Sequence, residues 1–213
     1  MRVYYDIQQG TDEWLALRAG CITASSFKSL VTSRGEKTAS STRDTYLNQI
    51  IAERLTGKPV DTFKNADMER GNEREGAARD LFAAIMEVDV KEIGFHLHSD
   101  YDIGCSPDGL FTLESDTGVE IKSPRASTHI RYMRNKKLPT EYMQQVQLSM
   151  WLLEVDRYFF FSYHPDLKPL IVEVKRDDEF IQKAVPILID AAKYVKSETE
   201  KLDEQPIYHA YKR

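Results

Sequence analysis

An aspartate, a glutamate and a lysine occur within fifteen residues, in a part of the chain that reads as two short strands. Asp108 lies in the stretch SPDG, and Glu120 and Lys122 flank Ile121 in the stretch EIK. Residues i and i+2 of a strand project from the same face, so Glu120 and Lys122 are predicted to point together and Ile121 to the opposite layer. Proline and glycine around Asp108 permit a sharp turn. If the strands pair as a hairpin, two carboxylates and one ammonium converge.

Such a group predicts a metal site that cleaves phosphodiesters. Two carboxylates repel each other unless a cation lies between them, and their hard oxygen atoms suit Mg²⁺. The backbone carbonyl of Ile121 and water would complete the shell. The metal lowers the pKa of bound water, and a second metal stabilises the leaving oxygen. Lys122 would hold or help deprotonate the attacking water. The alternative is a hairpin with ordinary surface charges.

A further acid comes from the segment RGNERE, residues 70–75, which is predicted to lie on a helix upstream of these strands. It carries several charged residues, and Glu75 is a candidate ligand for the second metal. The alternative is a solvated run of helical charges.

The periodicity of apolar residues predicts an α/β (or α+β) protein with a mixed sheet flanked by helices. Helices are expected at Asp12–Arg18, Thr23–Val31, Thr42–Thr56, Ala66–Met86, Glu141–Glu154 and Asp177–Lys201. Short strands are expected at Val90–His98, Ile103–Cys105, Leu110–Leu113, Val119–Lys122, Tyr158–Tyr163 and Leu170–Val174. With 213 residues the chain suits a single domain, residues 1–213.

Composition excludes several classes of protein. Charged residues make up 30% of the chain and no apolar run reaches the roughly eighteen residues of a membrane span. The N-terminus lacks the apolar core of a signal peptide, so we expect a cytoplasmic protein without a membrane segment. Its two cysteines, Cys21 and Cys105, form no C-x-x-C pair, which argues against structural zinc and a disulfide framework.

Charge is unevenly distributed along the chain. The net charge is −5, yet residues 121–140 contain six basic residues and no acid, and residues 14–43 contain five basic residues and one acid. Residues 173–204 instead contain nine acids and six bases. This pattern is expected if one face contacts phosphate, although basic runs are also common on solvated surfaces.

Five segments together resemble the family of phage lambda exonuclease and the YqaJ-type viral alkaline exonucleases, which has the restriction-endonuclease-like PD-(D/E)XK core. They occur in the family's order and read WLALRAGCITAS (14–25), RGNERE (70–75), SPDGL (106–110), VEIKSP (119–124) and YMQQVQLSMW (142–151).

The resemblance implies roles for individual residues. Asp108, Glu120 and Glu75 would be the acids of a two-metal site that takes Mg²⁺ or Mn²⁺, and Lys122 would serve the nucleophilic water. A terminal 5′-phosphate would be held by residues that match three further positions: Arg18, Ser25 and Ser106. Gln145 matches a glutamine that supports the site and the phosphate, and Met68 falls near an apolar wedge that separates the terminal base pairs.

The resemblance also implies an activity and partners. Family members are toroidal homotrimers that thread double-stranded DNA, degrade the 5′-ended strand to mononucleotides and leave a 3′ strand for a single-strand annealing protein. We therefore expect an Mg²⁺-dependent 5′→3′ exonuclease of phage-type recombination, acting on double-stranded DNA ends in a bacterial cytoplasm. Two alternatives stay open, a sequence-specific endonuclease with the same core and a non-catalytic DNA-binding or assembly module.

Overall fold

The computed structural model describes residues 2–60, 66–111 and 117–205, without the side chains of residues 66–70 and 72. Its α-helices are α1 (Asp12–Arg18), α2 (Ser40–Thr56), α3 (Ala66–Met86), α4 (Ala126–Asn135), α5 (Met143–Leu153) and α6 (Asp178–Asp203). Its strands are β1 (Arg2–Tyr4), β2 (Ile22–Thr23), β3 (Val90–Lys91), β4 (Phe95–Leu97), β5 (Ile103–Cys105), β6 (Gly109–Phe111), β7 (Gly118–Lys122), β8 (Arg157–Ser162) and β9 (Leu170–Lys175). Two short 3₁₀ helices, Ala24–Ser29 and Thr140–Tyr142, precede α2 and α5.

These strands form two mixed sheets. The larger has the order β3-β6-β7-β8-β9, in which only β7 and β8 run parallel. The smaller has the order β1-β4-β5-β2, in which β2 and β5 run parallel. The predicted α/β class with mixed strands between helices is confirmed, but two sheets are present where one was expected.

The second sheet arises where the predicted strand Val90–His98 divides into β3 and β4. At the break, the Gly94 N–H donates to the carbonyl oxygen of Tyr4 at 3.0 Å. A Cβ atom on Gly94 would overlap the carbonyl oxygens of Ile7 and Tyr4. Glycine is therefore required at this position, because the N-terminal segment approaches it closely. The same segment contains β1, with which β4 pairs instead of continuing β3 in the larger sheet.

Helix α3 covers one face of the larger sheet. Phe82 is fully buried and packs on Phe159 and Phe161, with ring centroids 5.8 and 5.3 Å apart. Val119 and Ile121 of β7 belong to the same apolar cluster. Because side chains alternate along a strand, packing of Ile121 against α3 directs Glu120 and Lys122 to the other face.

The opposite face is covered by a larger apolar cluster, to which α2, α5 and α6 contribute. Helix α4 was not predicted; it buries His129 and Tyr132. Among the helices that the structure describes, none is long and apolar enough to cross a membrane.

Candidate active site

The predicted hairpin brings the three charged residues together. Strands β6 and β7 pair antiparallel with Gly109 opposite Val119, which sets Asp108 beside the middle of β7. A Cβ atom on Gly109 would overlap the side chain of Val90, so glycine lets β6 lie close to β3 at this turn. The Asp108 Oδ2 atom accepts a hydrogen bond of 2.6 Å from the Ile121 N–H, which fixes the carboxylate against β7.

Lys122 lies between the two carboxylates. Its Nζ atom is 3.4 Å from Asp108 Oδ2 and forms a closer ion pair with Glu120 Oε1. Glu120 is 1% exposed and Asp108 is 9% exposed, whereas 28% of the Lys122 side chain is exposed. The two carboxylates are thus buried, and Lys122 is the member of the group that is partly exposed to solvent.

This burial changes the proton affinities of the group. Burial, followed by the charge of Asp108, raises the pKa of Glu120 to about 7. Burial alone would lower the pKa of Lys122, but the charges of Asp108 and Glu120 outweigh it and raise that pKa above its usual range. Lys122 therefore carries a proton at neutral pH, while the carboxylates still repel each other.

Glu75 lies within electrostatic reach of this group but contacts an arginine. Burial, and then the charge of Asp108, raises the pKa of Glu75 to about 7. Its Oε1 atom accepts a hydrogen bond of 2.7 Å from Arg79 Nη2, one turn further along α3.

Arg79 is a site residue that the sequence reasoning missed. Besides Glu75, it donates through Nε to the carbonyl oxygen of Asp108 at 2.6 Å and pairs through Nη1 with Glu92 at 3.0 Å. Its side chain is 14% exposed. One guanidinium therefore ties α3, the Asp108 turn and the segment after β3 together. Only the i, i+4 spacing of Glu75 and Arg79 could have indicated a pair in advance.

Gln145 on α5 supports the buried glutamate. Its Nε2 atom donates to Glu120 Oε1 at 2.6 Å, and its predicted role toward a phosphate stays a prediction. The ring of Tyr142, just before α5, lies 5.7 Å from Lys122 Nζ. Glu120 Oε1 is thus held by an amide and an ammonium, which fixes its orientation.

Two of the three predicted phosphate contacts lie together. The Arg18 guanidinium stacks on the Trp14 ring at 3.8 Å, and its Nη2 atom is 3.5 Å from Ser25 Oγ. Arg18 Nε is buried without a hydrogen-bond partner in the described part of the chain. Burial lowers the pKa of Arg18 to about 10. A buried donor of this kind fits an anionic ligand.

The hydroxyl of Ser106 forms hydrogen bonds within the protein. It donates to the carbonyl oxygen of Gly94 at 2.6 Å and accepts from Trp14 Nε1 at 3.1 Å. Because a serine hydroxyl has a single proton, donation to a phosphate would require it to leave Gly94. Its predicted phosphate contact stays a prediction. The Met68 side chain lies outside the described residues.

The carboxylate pair has the donor atoms of a divalent-cation site. Asp108 and Glu120 both present oxygen atoms to the Lys122 ammonium, and carboxylate oxygens are the hard ligands that Mg²⁺ prefers. Within the described residues no cluster of three or more His, Cys, Asp or Glu is close enough to form a metal site. Glu75 bonds Arg79 instead. A metal held by Asp108 and Glu120, with Glu75 and the Ile121 carbonyl as further ligands, stays a prediction.

Comparison with known proteins shows the family to which the chain belongs. The family of YqaJ-like viral recombinase domains matches residues 13–156. The chain belongs to this family. A search of curated proteins returns no match.

Solved structures of exonucleases resemble most of the chain. An alkaline exonuclease from Laribacter hongkongensis, LHK-Exo, has 30% sequence identity and a TM-score of 0.80, over 91% of this chain and 96% of its own. The same enzyme in complex with dAMP gives 31% identity and a TM-score of 0.79, over 91% and 96% of the two chains. A phage-related exonuclease from Haemophilus somnus shares the fold, with 16% identity and a TM-score of 0.67 over 85% and 96%. Family and fold together support a nuclease role.

We expect Arg79→Lys to lower nuclease activity by about 10- to 100-fold, because a lysine cannot hold Asp108, Glu75 and Glu92 at once and the turn would shift. Initial rates at a series of Mg²⁺ concentrations check this. The matched control is Arg176→Lys, since Arg176 also bonds a carboxylate and a backbone carbonyl but contacts Asp178 and Met150 instead. Equal rates for both variants would contradict a positioning role.

Proposed function

We propose that the protein is an Mg²⁺-dependent exonuclease that degrades double-stranded DNA in the 5′→3′ direction. It would start at a 5′-phosphorylated end, release 5′-mononucleotides and leave a 3′ single strand. The observation that carries the proposal is the buried pair of Asp108 and Glu120 sharing the Lys122 ammonium, in a chain of the YqaJ-like family. The dAMP complex of LHK-Exo supports a mononucleotide product.

Asp108 and Glu120 would hold the metal, with Glu75 and the Ile121 carbonyl as further ligands. When bound, Mg²⁺ would lower the pKa of a water ligand and offset charge on the phosphate; two ions per site are expected and Mn²⁺ would substitute. Lys122 would orient the attacking water through its ammonium protons and offset negative charge that develops on the phosphate. Gln145 would keep Glu120 in place through its amide.

The experiment that tests the class of nuclease compares two DNA substrates in Mg²⁺. Linear duplex should be converted to acid-soluble nucleotides, whereas a covalently closed circle of the same sequence should stay intact, because an exonuclease needs an end. Cleavage of the circle would instead indicate an endonuclease of the same core. Binding of both substrates without any hydrolysis would indicate a non-catalytic module.

Arg18 is proposed to recognise the terminal 5′-phosphate together with Ser25 and Ser106. Its Nε, which is buried without a hydrogen-bond partner among the described residues, supports this, since a phosphate would satisfy it. We expect Arg18→Ala to reduce the preference for 5′-phosphorylated over 5′-hydroxyl ends by about tenfold or more, because the variant lacks a charge-assisted hydrogen bond of about 1.5–3 kcal/mol.

The preference is measured as the ratio of initial rates on two duplexes that differ only in the 5′ group. Arg34→Ala serves as the control, because Arg34 lies in the exposed turn after β2 and the first 3₁₀ helix. An unchanged ratio in Arg18→Ala would remove Arg18 from this role.

We also propose, on the family resemblance, that the protein assembles as a homotrimeric ring around duplex DNA and hands its 3′ strand to a single-strand annealing protein. A ring would reconcile the net charge of −5 with DNA binding, because basic residues can line a channel. Light scattering should give three times the mass of one chain, and a monomer at micromolar concentration would contradict the ring.

A further inference from the structure

The basic stretch that follows β7 forms one exposed surface. Arg131, Arg134, Lys136 and Lys137 are all exposed on α4 and the turn that follows it. Arg131 pairs with Glu141 at 3.2 Å, and both side chains are largely in solvent, at 60% and 44% exposure. In the described part of the chain no carboxylate forms an ion pair with the other three. We call these four residues the α4 basic surface.

The inner side of α4 is anchored firmly to the sheet. His129 is fully buried, with Nδ1 2.7 Å from Ser162 Oγ and Nε2 2.9 Å from the carbonyl oxygen of Lys168. Tyr132 packs edge-on against Phe160 at 5.9 Å. Because these contacts fix the rotation of the helix, the basic side chains are held facing outward. One side of α4 is thus buried, and the opposite side carries the basic residues.

The surface is shaped as well as charged. A depression of about 440 Å³ is lined by residues that include Arg131, Asn135 and Lys137. A second one of about 250 Å³ is lined by residues that include Arg131, Arg134 and Asn135. Since Arg131 and Asn135 line both, the two depressions adjoin. Basic groups therefore flank a groove rather than project from a flat surface.

Tyr142 lies between the charged group and α4. The Tyr142 ring lies 5.7 Å from Lys122 Nζ, and its centroid is 6.5 Å from that of Tyr132. Tyr132 also lines the larger depression, and its hydroxyl donates to Glu141 at 2.8 Å. Two adjoining tyrosine rings therefore separate Lys122 from α4, a separation that a polymer bound at Lys122 can span.

We propose that the α4 basic surface binds the sugar-phosphate backbone of the DNA substrate beyond the bond that is cleaved. The inference rests on the proposed function. A protein with a net charge of −5 repels DNA at long range, so binding requires a local basic surface that displaces counterions from the phosphates. Contacts of this kind position the duplex without reading its sequence, as an enzyme that degrades any sequence requires.

The test is the salt dependence of DNA binding by a triple variant, Arg134→Gln, Lys136→Gln and Lys137→Gln. A 5′-phosphorylated duplex is titrated in EDTA, where hydrolysis is not expected, at several KCl concentrations. We expect the slope of log Kd against log salt to fall by about 2 to 3, since each phosphate that is no longer neutralised lowers it by about 0.9. Affinity near 0.1 M salt should weaken about tenfold or more.

A second triple variant controls for the change in total charge. Lys193→Gln, Lys196→Gln and Lys201→Gln remove three exposed cations from α6, and we expect wild-type affinity and slope. Because all six residues are exposed, both variants should unfold at the wild-type temperature, which is checked by thermal melting.

Equal slopes and affinities for the two triple variants would overturn the inference. So would wild-type DNA binding combined with a changed molecular mass of the α4 variant, which would indicate a contact between copies of the chain. Failure of the proposed function is recognised separately, because wild-type protein would then release no nucleotides from linear duplex in Mg²⁺, whatever the binding slopes.

Discussion

Lys122→Ala is expected to lower the rate of DNA hydrolysis by about 10³-fold or more while the protein still binds duplex DNA. The ammonium is the one cation that contacts both Asp108 and Glu120 in the described structure, and 28% of its side chain faces solvent, from which the substrate arrives. Removal of a group that offsets charge in the transition state typically costs about 10²- to 10³-fold, and loss of water positioning adds to this.

Single-turnover rates with saturating enzyme measure this effect apart from binding. The control is Lys175→Ala, which removes an exposed lysine from the end of β9. A wild-type rate for Lys122→Ala would remove the lysine from the chemistry. Equal losses in both variants would indicate a general effect of charge.

Asp108→Asn should lower the rate of hydrolysis about as much as Lys122→Ala does, without destabilising the fold. An asparagine can still accept the hydrogen bond of the Ile121 N–H through its amide oxygen, so the hairpin is kept. The variant loses one of two negative charges that repel each other, and Lys122 still pairs with Glu120. We therefore expect a Tm in EDTA at or above that of wild type, as is common where a site is electrostatically strained for function.

Thermal melting in EDTA and in Mg²⁺ measures how much the cation stabilises each protein. Wild type should gain stability from Mg²⁺, because the cation binds only the folded site, whereas Asp108→Asn should gain much less. Asp166→Asn, which changes a side chain that is 85% exposed, should behave as wild type. A large fall in the Tm of Asp108→Asn in EDTA would instead show that Asp108 serves the fold.

The hairpin that carries the three charged residues could be predicted from the sequence because its signals are local. A proline and glycine around Asp108 indicate a turn, and the alternation of Glu120, Ile121 and Lys122 specifies which side chains share a face. The packing of Ile121 against α3 and the pairing of β6 with β7 confirm both points.

Features that depend on distant contacts could not be predicted in this way. Arg79 becomes a site residue only because α3 packs where its guanidinium reaches the Asp108 carbonyl. Ser106 is engaged by Trp14 and Gly94, which are 92 and 12 positions away in the chain. Helix α4 is anchored by hydrogen bonds of His129 to Ser162 and Lys168, which are 33 and 39 positions away in the chain.

The most direct test of the proposed function uses linear duplex labelled separately at each 5′ and each 3′ end, incubated in Mg²⁺ or in EDTA. In Mg²⁺ the 5′ label should be released first, as a mononucleotide, while the 3′ label stays on a long single strand, and EDTA should stop all release. Release of the 3′ label first, internal fragments from unprocessed ends, or equal release in EDTA would contradict a metal-dependent 5′→3′ exonuclease.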